Sequence, residues 1–260
     1  MFYQFHTSFH TSQYFLDPAK LKERLKSKEI YRLKQDLKLN QKEYENLLKS
    51  TKQNEDDFIA YDHEFFRLGF RDIARDTDEH TAIFSLLPKN IGCGNTVWSS
   101  IPKRYALLGD SIKIECVSYL RLLFALGIFN SLIIDFLARQ MVQIHLNKTY
   151  LERLPLPQPN DAEILNNPIY HSIAINALKL QLYNDPETFC EISNMFGIQK
   201  DQIPLTPKLY DQLKAQNEIA VAKLYGISYE EFCHLLKSFQ VLANKKPEYI
   251  ALITSPKLWE

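Results

Sequence analysis

EFFRLGFRDIAR, residues 64–75, decides how the chain is read. It sets apolar Phe66, Leu68, Phe70 and Ala74 on even positions and Arg67, Arg71 and Arg75 on odd ones. Period two is the signature of a strand with one face in a core and the other toward solvent; Asp72 and Ile73 interrupt it. On a strand rising about 3.3 Å per residue, successive arginines stand about 13 Å apart on one face. Each guanidinium offers a fork of donors that fits phosphate oxygens or the edge of guanine. The same pattern suits ion pairs with neighbouring Asp72, Asp76, Asp78 and Glu79 on a wet surface.

Downstream, two further strands are expected, Thr81–Leu87 stopped by Pro88 and Thr96–Ile101 stopped by Pro102. The turn-rich KNIGCGN of residues 89–95 joins them. Its glycines lack GxGxxG spacing and no Lys-Ser or Lys-Thr follows, which excludes a phosphate-cradling nucleotide loop. Trp98, Lys103 and Arg104, with Lys89 and Asn95 in the turn, join Arg67, Arg71 and Arg75 as candidate DNA contacts, since aromatic and cationic side chains together suit bases and phosphates. After Gly109 the chain reads as helical, with Asn130-Ser131 dividing a helical hairpin. Val117–Leu137 is apolar, but Arg121 and Asp135 bound an uncharged run of only 13 residues, short of the roughly 20 that cross a bilayer. No membrane partner is expected.

RLPLPQP, residues 153–159, carries three prolines within five residues and reads as an extended boundary. Beyond it Asn167-Pro168, Asp185-Pro186 and Thr206-Pro207 each open a helix, and Ser228 with Glu231 forms the capping box of a last one. Upstream, Asp17-Pro18 opens a helix that carries Leu21, Leu25, Leu33, Leu37, Leu47 and Leu48 at helical spacing. Eleven basic against five acidic residues give Lys20–Lys52 a net charge of +6, which a solvated helix face explains. Asn54–Asp57 reads as a linker. The repeat FHTSFHTS at residues 5–12 sets His6 and His10 four apart, without the third ligand a metal site needs. The expected fold is α+β: an N-terminal helical segment at 1–57, a β-rich region with a small, mainly antiparallel sheet and a helical hairpin at 58–159, and an all-α region at 160–260.

Composition limits the function classes. With 31 basic and 31 acidic residues among 260 the net charge is zero, so no global field draws the chain to nucleic acid and any contact is local. Cys93, Cys116, Cys190 and Cys233 form no CxxC pair, and residues 1–16 lack the basic start and apolar run of a leader. The cytoplasm is the expected location. His63, His145, His171 and His234 have no metal-ligand spacing.

FRDIARDTDEHTAIFSLLPK, LLFALGIFNSLIIDFLARQ, HLNKTYLERLPLPQP and EIAVAKLYGISYEEFCHLL follow one another in an order that resembles the C-terminal part of type IIG and phage-defence adenine-specific DNA methyltransferases, of the restriction–modification family. The resemblance covers about residues 62–240. It implies that about 62–159 is a target-recognition region for double-stranded DNA, serving a methyltransferase domain upstream in a parent polypeptide. The family's Arg-x-Ile-Ala-x-x-Thr-x-Glu-Arg-Thr pattern falls on Arg71, Ile73, Ala74, Thr77, Glu79, His80 and Thr81. His80 departs from it, replacing a permanently charged Arg by a group mostly neutral at pH 7. Thr77 and His80 thereby join the candidate contacts.

Catalytic parts are missing. There is no glycine-rich S-adenosylmethionine loop, and Asn167-Pro168-Ile169-Tyr170 lacks the second proline of the Asn-Pro-Pro-Tyr element that holds a flipped adenine. It reads as an Asn cap with Pro at the first helical position. Nor does a Pro-Asp followed by acidic-x-Lys mark a nuclease. The chain is expected to recognise DNA without catalysis of its own, beside a separately encoded methyltransferase or nuclease that alone needs S-adenosylmethionine. The alternative is a truncated remnant or protein-interaction module without DNA affinity.

Overall fold

A computed structural model describes residues 2–7, 15–51, 54–75, 78–109, 111–142 and 144–260. Thr77 and His10 lie outside them. The chain begins with a short antiparallel pair, β1 (Phe2–Tyr3) and β2 (His6–Thr7). Asp17 accepts from the Ala19 and Lys20 amides and opens α1 (Pro18–Asp36). The helix expected through Leu48 is in fact two. Lys38 takes a left-handed φ of 54°, and Asn40 and Glu43 exchange backbone-to-side-chain bonds of 2.9 and 2.8 Å that start α2 (Gln41–Thr51). Asn54–Asp57 is no linker either: the Asn54 amide donates to Asp57 at the start of α3 (Glu55–Phe58).

The sheet follows, with β3 (Arg67–Arg71) in its centre, β4 (Phe84–Leu87) on one side and β5 (Val97–Ser99) on the other, all antiparallel. Phe70 faces Phe84 across one ladder and Trp98 across the other. The chain does not turn helical after Gly109. That glycine, at φ 59°, lies in the turn of a ribbon formed by β6 (Lys103–Leu108) and β7 (Ser111–Cys116), where Ile112 and Ile114 alternate with Lys113 and Glu115. The helical hairpin is present as α4 (Tyr119–Phe129) and α5 (Leu132–Met141), capped by Ser118 and Ser131 and bent by 67°. Among the described residues no single helix is long and apolar enough to cross a membrane.

Beyond α6 (Lys148–Leu151) the proline stretch runs without regular structure to α7 (Asp161–Asn166). Asn167 then accepts from the Ile169 and Tyr170 amides at 2.9 and 3.2 Å, as a cap for α8 (Pro168–Asn184). Asp185-Pro186 opens a turn instead of a helix, and α9 (Cys190–Met195) starts four residues later than that proline. Thr206 caps α10 (Pro207–Leu224) and Ser228 caps α11 (Tyr229–Leu236). That helix is not the last, because α12 (Gln240–Lys245), α13 (Pro247–Ile253) and α14 (Pro256–Trp259) follow.

Two cores hold these elements. The larger runs from Phe5 through β3, β4, α4, α5, α8 and α10 to Ile253, so it passes through the boundary at 153–159. At Gly127 of α4 a Cβ would stand 2.6 Å from the Ile173 side chain and 2.9 Å from the Ile173 carbonyl; only glycine permits this approach to α8. The smaller core joins Leu33, Tyr44 and Phe58 of the N-terminal helices to Tyr105 and Ile112 of the ribbon.

Strand β4 is an edge strand whose outer groups are taken by other elements. Asn130, at the α4–α5 turn, accepts from the Phe84 amide and donates to the Phe84 carbonyl, both at 2.9 Å. Gln181 of α8 accepts from the Leu86 amide and the Ser85 hydroxyl. Asp135 of α5 accepts from the Thr81 and Ala82 amides just upstream, and Gln4 donates to the Ala82 carbonyl. Asn130→Ala removes both bonds to Phe84 in a buried site and is expected to cost about 2–4 kcal/mol, read as a lower urea midpoint with an unchanged m-value.

Candidate nucleic-acid interface

The expected arginine face does not form. Arg67 is buried, and its guanidinium donates to the carbonyls of Phe65, Pro88 and Ile91, with Cys93 Sγ at 3.9 Å. Surrounded by carbonyls and depressed by burial, it organises the 88–93 turn from inside. Arg71 donates to the Ile73 carbonyl at 2.8 Å and lies 3.4 Å from Asp78. Arg75 is exposed but falls outside β3, after the isolated bridge of Ile73 with His145. The strand ends once Asp72 donates its amide to Thr96 and accepts at its carbonyl from Leu146.

Two more candidates are structural. The Lys103 ammonium is wholly inaccessible, 2.7 Å from Glu29 of α1 and 3.3 Å from the Tyr105 hydroxyl. It fastens the ribbon to α1, as does the Tyr105 amide donating to Asp36 at 2.9 Å. His80 is buried between α5 and α10, its Nδ1 3.0 Å from Asp135 and its Nε2 3.3 Å from Lys214. Asp135 therefore receives Nδ1–H, and the lysine donates to Nε2. Burial, and then the charge of Lys214, hold the imidazole neutral, with its pKa pushed down to about 4 against the pull of Asp135. His80, expected among the DNA contacts, is therefore enclosed in the interior beside Asp135 and Lys214.

What remains on the surface is a smaller set. Lys89 pairs with Glu191 at 2.6 Å. Asn95 is exposed in the turn before β5. Trp98, 47% exposed, lies across Phe70 with ring centroids 6.3 Å apart. Arg104, whose side chain is 74% exposed, reaches Glu115 at 2.7 Å. The pleat puts Arg104, Ala106, Lys113 and Glu115 on one face of the ribbon, opposite the face on which Tyr105 and Ile112 pack against α1. Lys113 is exposed and makes no ion pair among the described residues. Residues 95–108 thus lead from the free edge of the sheet onto a two-stranded ribbon, with Asn95, Trp98, Ile101, Arg104 and Leu108 outward.

A second polar site was missed in the sequence. Asp135, Lys214 and Glu218 are buried together with His80, and Glu218 accepts from the Leu132 amide at 2.8 Å where α5 begins. Burial pushes the Glu218 carboxyl up to about 7, opposed by Lys214. The legible signal was an acid inside the apolar LIID of residues 132–135, with Arg139 one turn on. His80, Lys214, Arg71, Lys245, Lys246 and Tyr210 belong to the wall of a pocket of about 440 Å³. Among the described residues no group of three or more His, Cys, Asp or Glu side chains is placed to hold a metal ion.

Neither family models nor curated proteins nor solved structures give a match to this chain. His80 is expected to titrate near pH 4 and to keep the Nδ1–H tautomer at pH 6. Histidine NMR resonances report both, and a midpoint above pH 6 contradicts the buried arrangement. Because this folded pKa lies below the unfolded value, the unfolded chain binds more protons between them, so His80 withdraws stability as pH falls from about 6.5 toward 4.

Proposed function

We propose that this chain is a sequence-recognition segment for double-stranded DNA, working beside an adenine methyltransferase or nuclease part that supplies catalysis and alone requires S-adenosylmethionine. The four quoted segments carry the family resemblance, and the observation that supports the reading in space is the set of exposed side chains Asn95, Trp98, Arg104 and Lys113. It combines a half-exposed Trp98 on a sheet edge with Arg104 and Lys113 on the outer face of a ribbon. A two-stranded ribbon fits the major groove, and its outward side chains reach base edges or flanking phosphates. The surface differs from the arginine face expected from residues 64–75, so Arg67, Lys103 and His80 carry no contact in this reading.

Exposed Ile101, Leu107 and Leu108 favour a second reading in which the same ribbon docks on another protein, as a remnant or interaction module. The two separate by salt dependence. DNA binding measured by fluorescence anisotropy on duplexes is expected to weaken steeply with salt, and Arg104→Ala with Lys113→Ala to lower the slope of log K against log salt by about 0.9 per contact removed. Trp98→Ala is expected to weaken binding while leaving that slope unchanged. Absence of duplex binding at low salt, or an unaltered slope in the double variant, overturns the proposal.

A further inference from the structure

The pocket behind His80 is lined, among the described residues, by more cations than carboxylates. Lys214, on α10, is buried. Its ammonium lies 2.9 Å from Gln4 Oε1, 3.3 Å from His80 Nε2 and 5.4 Å from the Tyr249 ring centre. Among the described residues no carboxylate comes within ion-pair distance of it, and two hydrogen bonds leave one of its three donors open. Buried Glu218, one turn on along α10, is its strongest charge partner but lies beyond ion-pair distance, and a buried ammonium not directly paired is costly. Three more cations stand on the same wall: Arg71, Lys245 and Lys246. Against these four, the pocket holds two carboxylates, Asp78 at 3.4 Å from Arg71 and Glu79 at 3.0 Å from Lys246 and 3.9 Å from Lys245. The described lining thus carries two more cations than carboxylates, with Glu218 behind Lys214, and suits a phosphate group.

Shape and aromatic lining narrow the ligand. The volume of about 440 Å³ lies in the range of pockets that enclose small organic ligands. Tyr3 and Tyr210 line it, Tyr210 set against Tyr183 with ring centroids 4.8 Å apart. Tyrosine faces suit a heteroaromatic ring. We infer that this pocket binds a nucleoside phosphate, its phosphate held by Lys214, Lys245 and Lys246 and its base placed against the tyrosines. The ligand is either a free nucleotide or the end of a nucleic-acid strand, which share this chemistry. The inference is independent of the ribbon surface, since none of these residues belongs to it.

The test uses the full chain, with AMP, adenosine, inorganic phosphate and a short phosphorylated oligonucleotide as probes in calorimetric titration and thermal unfolding. AMP is expected to bind and raise the Tm, with adenosine and phosphate each weaker. Lys245→Ala with Lys246→Ala, both at the exposed mouth, is expected to raise the Kd at least about tenfold, which the loss of a single charge-assisted hydrogen bond already gives. Lys214→Met is expected to abolish binding; should that variant fail to fold, the mouth variant decides. Duplex affinity of the mouth variant reports separately on the ribbon. Tighter oligonucleotide than AMP binding assigns a strand end as the source, and the reverse a free nucleotide. No binding of AMP or the oligonucleotide, or no weakening in the mouth variant, overturns the inference.

Discussion

The fold depends on how the outer edge of β4 is satisfied. Backbone amides and carbonyls enclosed by apolar side chains must find partners, and among the described residues no further strand pairs with this edge along its length. Asn130, Gln181 and Gln4 supply those partners from three parts of the chain, and Asp135 does the same for the amides that lead into the strand. Each bond therefore positions an element as well as closing an edge. The α4–α5 turn is set against Phe84, α8 against Ser85 and Leu86, and the N-terminal segment against Ala82. Close approach of α4 to α8 at Gly127 follows from the same placement. Because the helices on both sides of the proline stretch lean on one strand, they share a core.

Charge is distributed by a similar economy. A chain of zero net charge that contains a stretch of +6 has enough cations for a polyanion surface, but several of them are taken internally. Arg32 and Lys103 converge on Glu29 and Asp62 between α1 and the ribbon, and Lys22 and Lys26 reach the acids around α3 and the following turn. Arg67 forms no ion pair among the described residues and instead ties down carbonyls of the turn after β4. Of these, Arg32, Lys103 and Arg67 act through hydrogen bonding away from solvent, where an ammonium or guanidinium is costly unless paired and structurally decisive once paired. The exposed Arg104 and Lys113 then stand out on the ribbon because the cations beneath them are spent on holding it.

His80, Asp135, Lys214 and Glu218 form the other polar centre. Asp135 joins the hairpin to the sheet through backbone amides and orients the imidazole; the imidazole then accepts from Lys214. One side of this group is structural and the other faces the pocket. The core and the pocket wall therefore meet in the same residues, and a substitution at Asp135 disturbs both.

The sequence by itself determined the elements that depend on near neighbours. The Asp17, Asn167, Thr206 and Ser228 caps, the hairpin divided at Asn130-Ser131 and the strand around Phe70 were legible, because a cap or an alternation involves residues a few positions apart. The break at Lys38, the helix at Glu55 and the ribbon beyond Gly109 were local too, but each was masked by a stronger competing pattern: continuing leucine periodicity, a polar cluster that resembled a linker, and the apolar run ahead. Only the tertiary structure decided which cations are available. Lys103 meets Glu29 across 74 positions, His80 meets Lys214 across 134, and Arg67 turns inward to a loop more than 20 residues on. Spacing along a strand fixes the side of the sheet from which an arginine departs, but what covers that side is set by packing between distant segments, and burial and pairing of a charge follow from that cover.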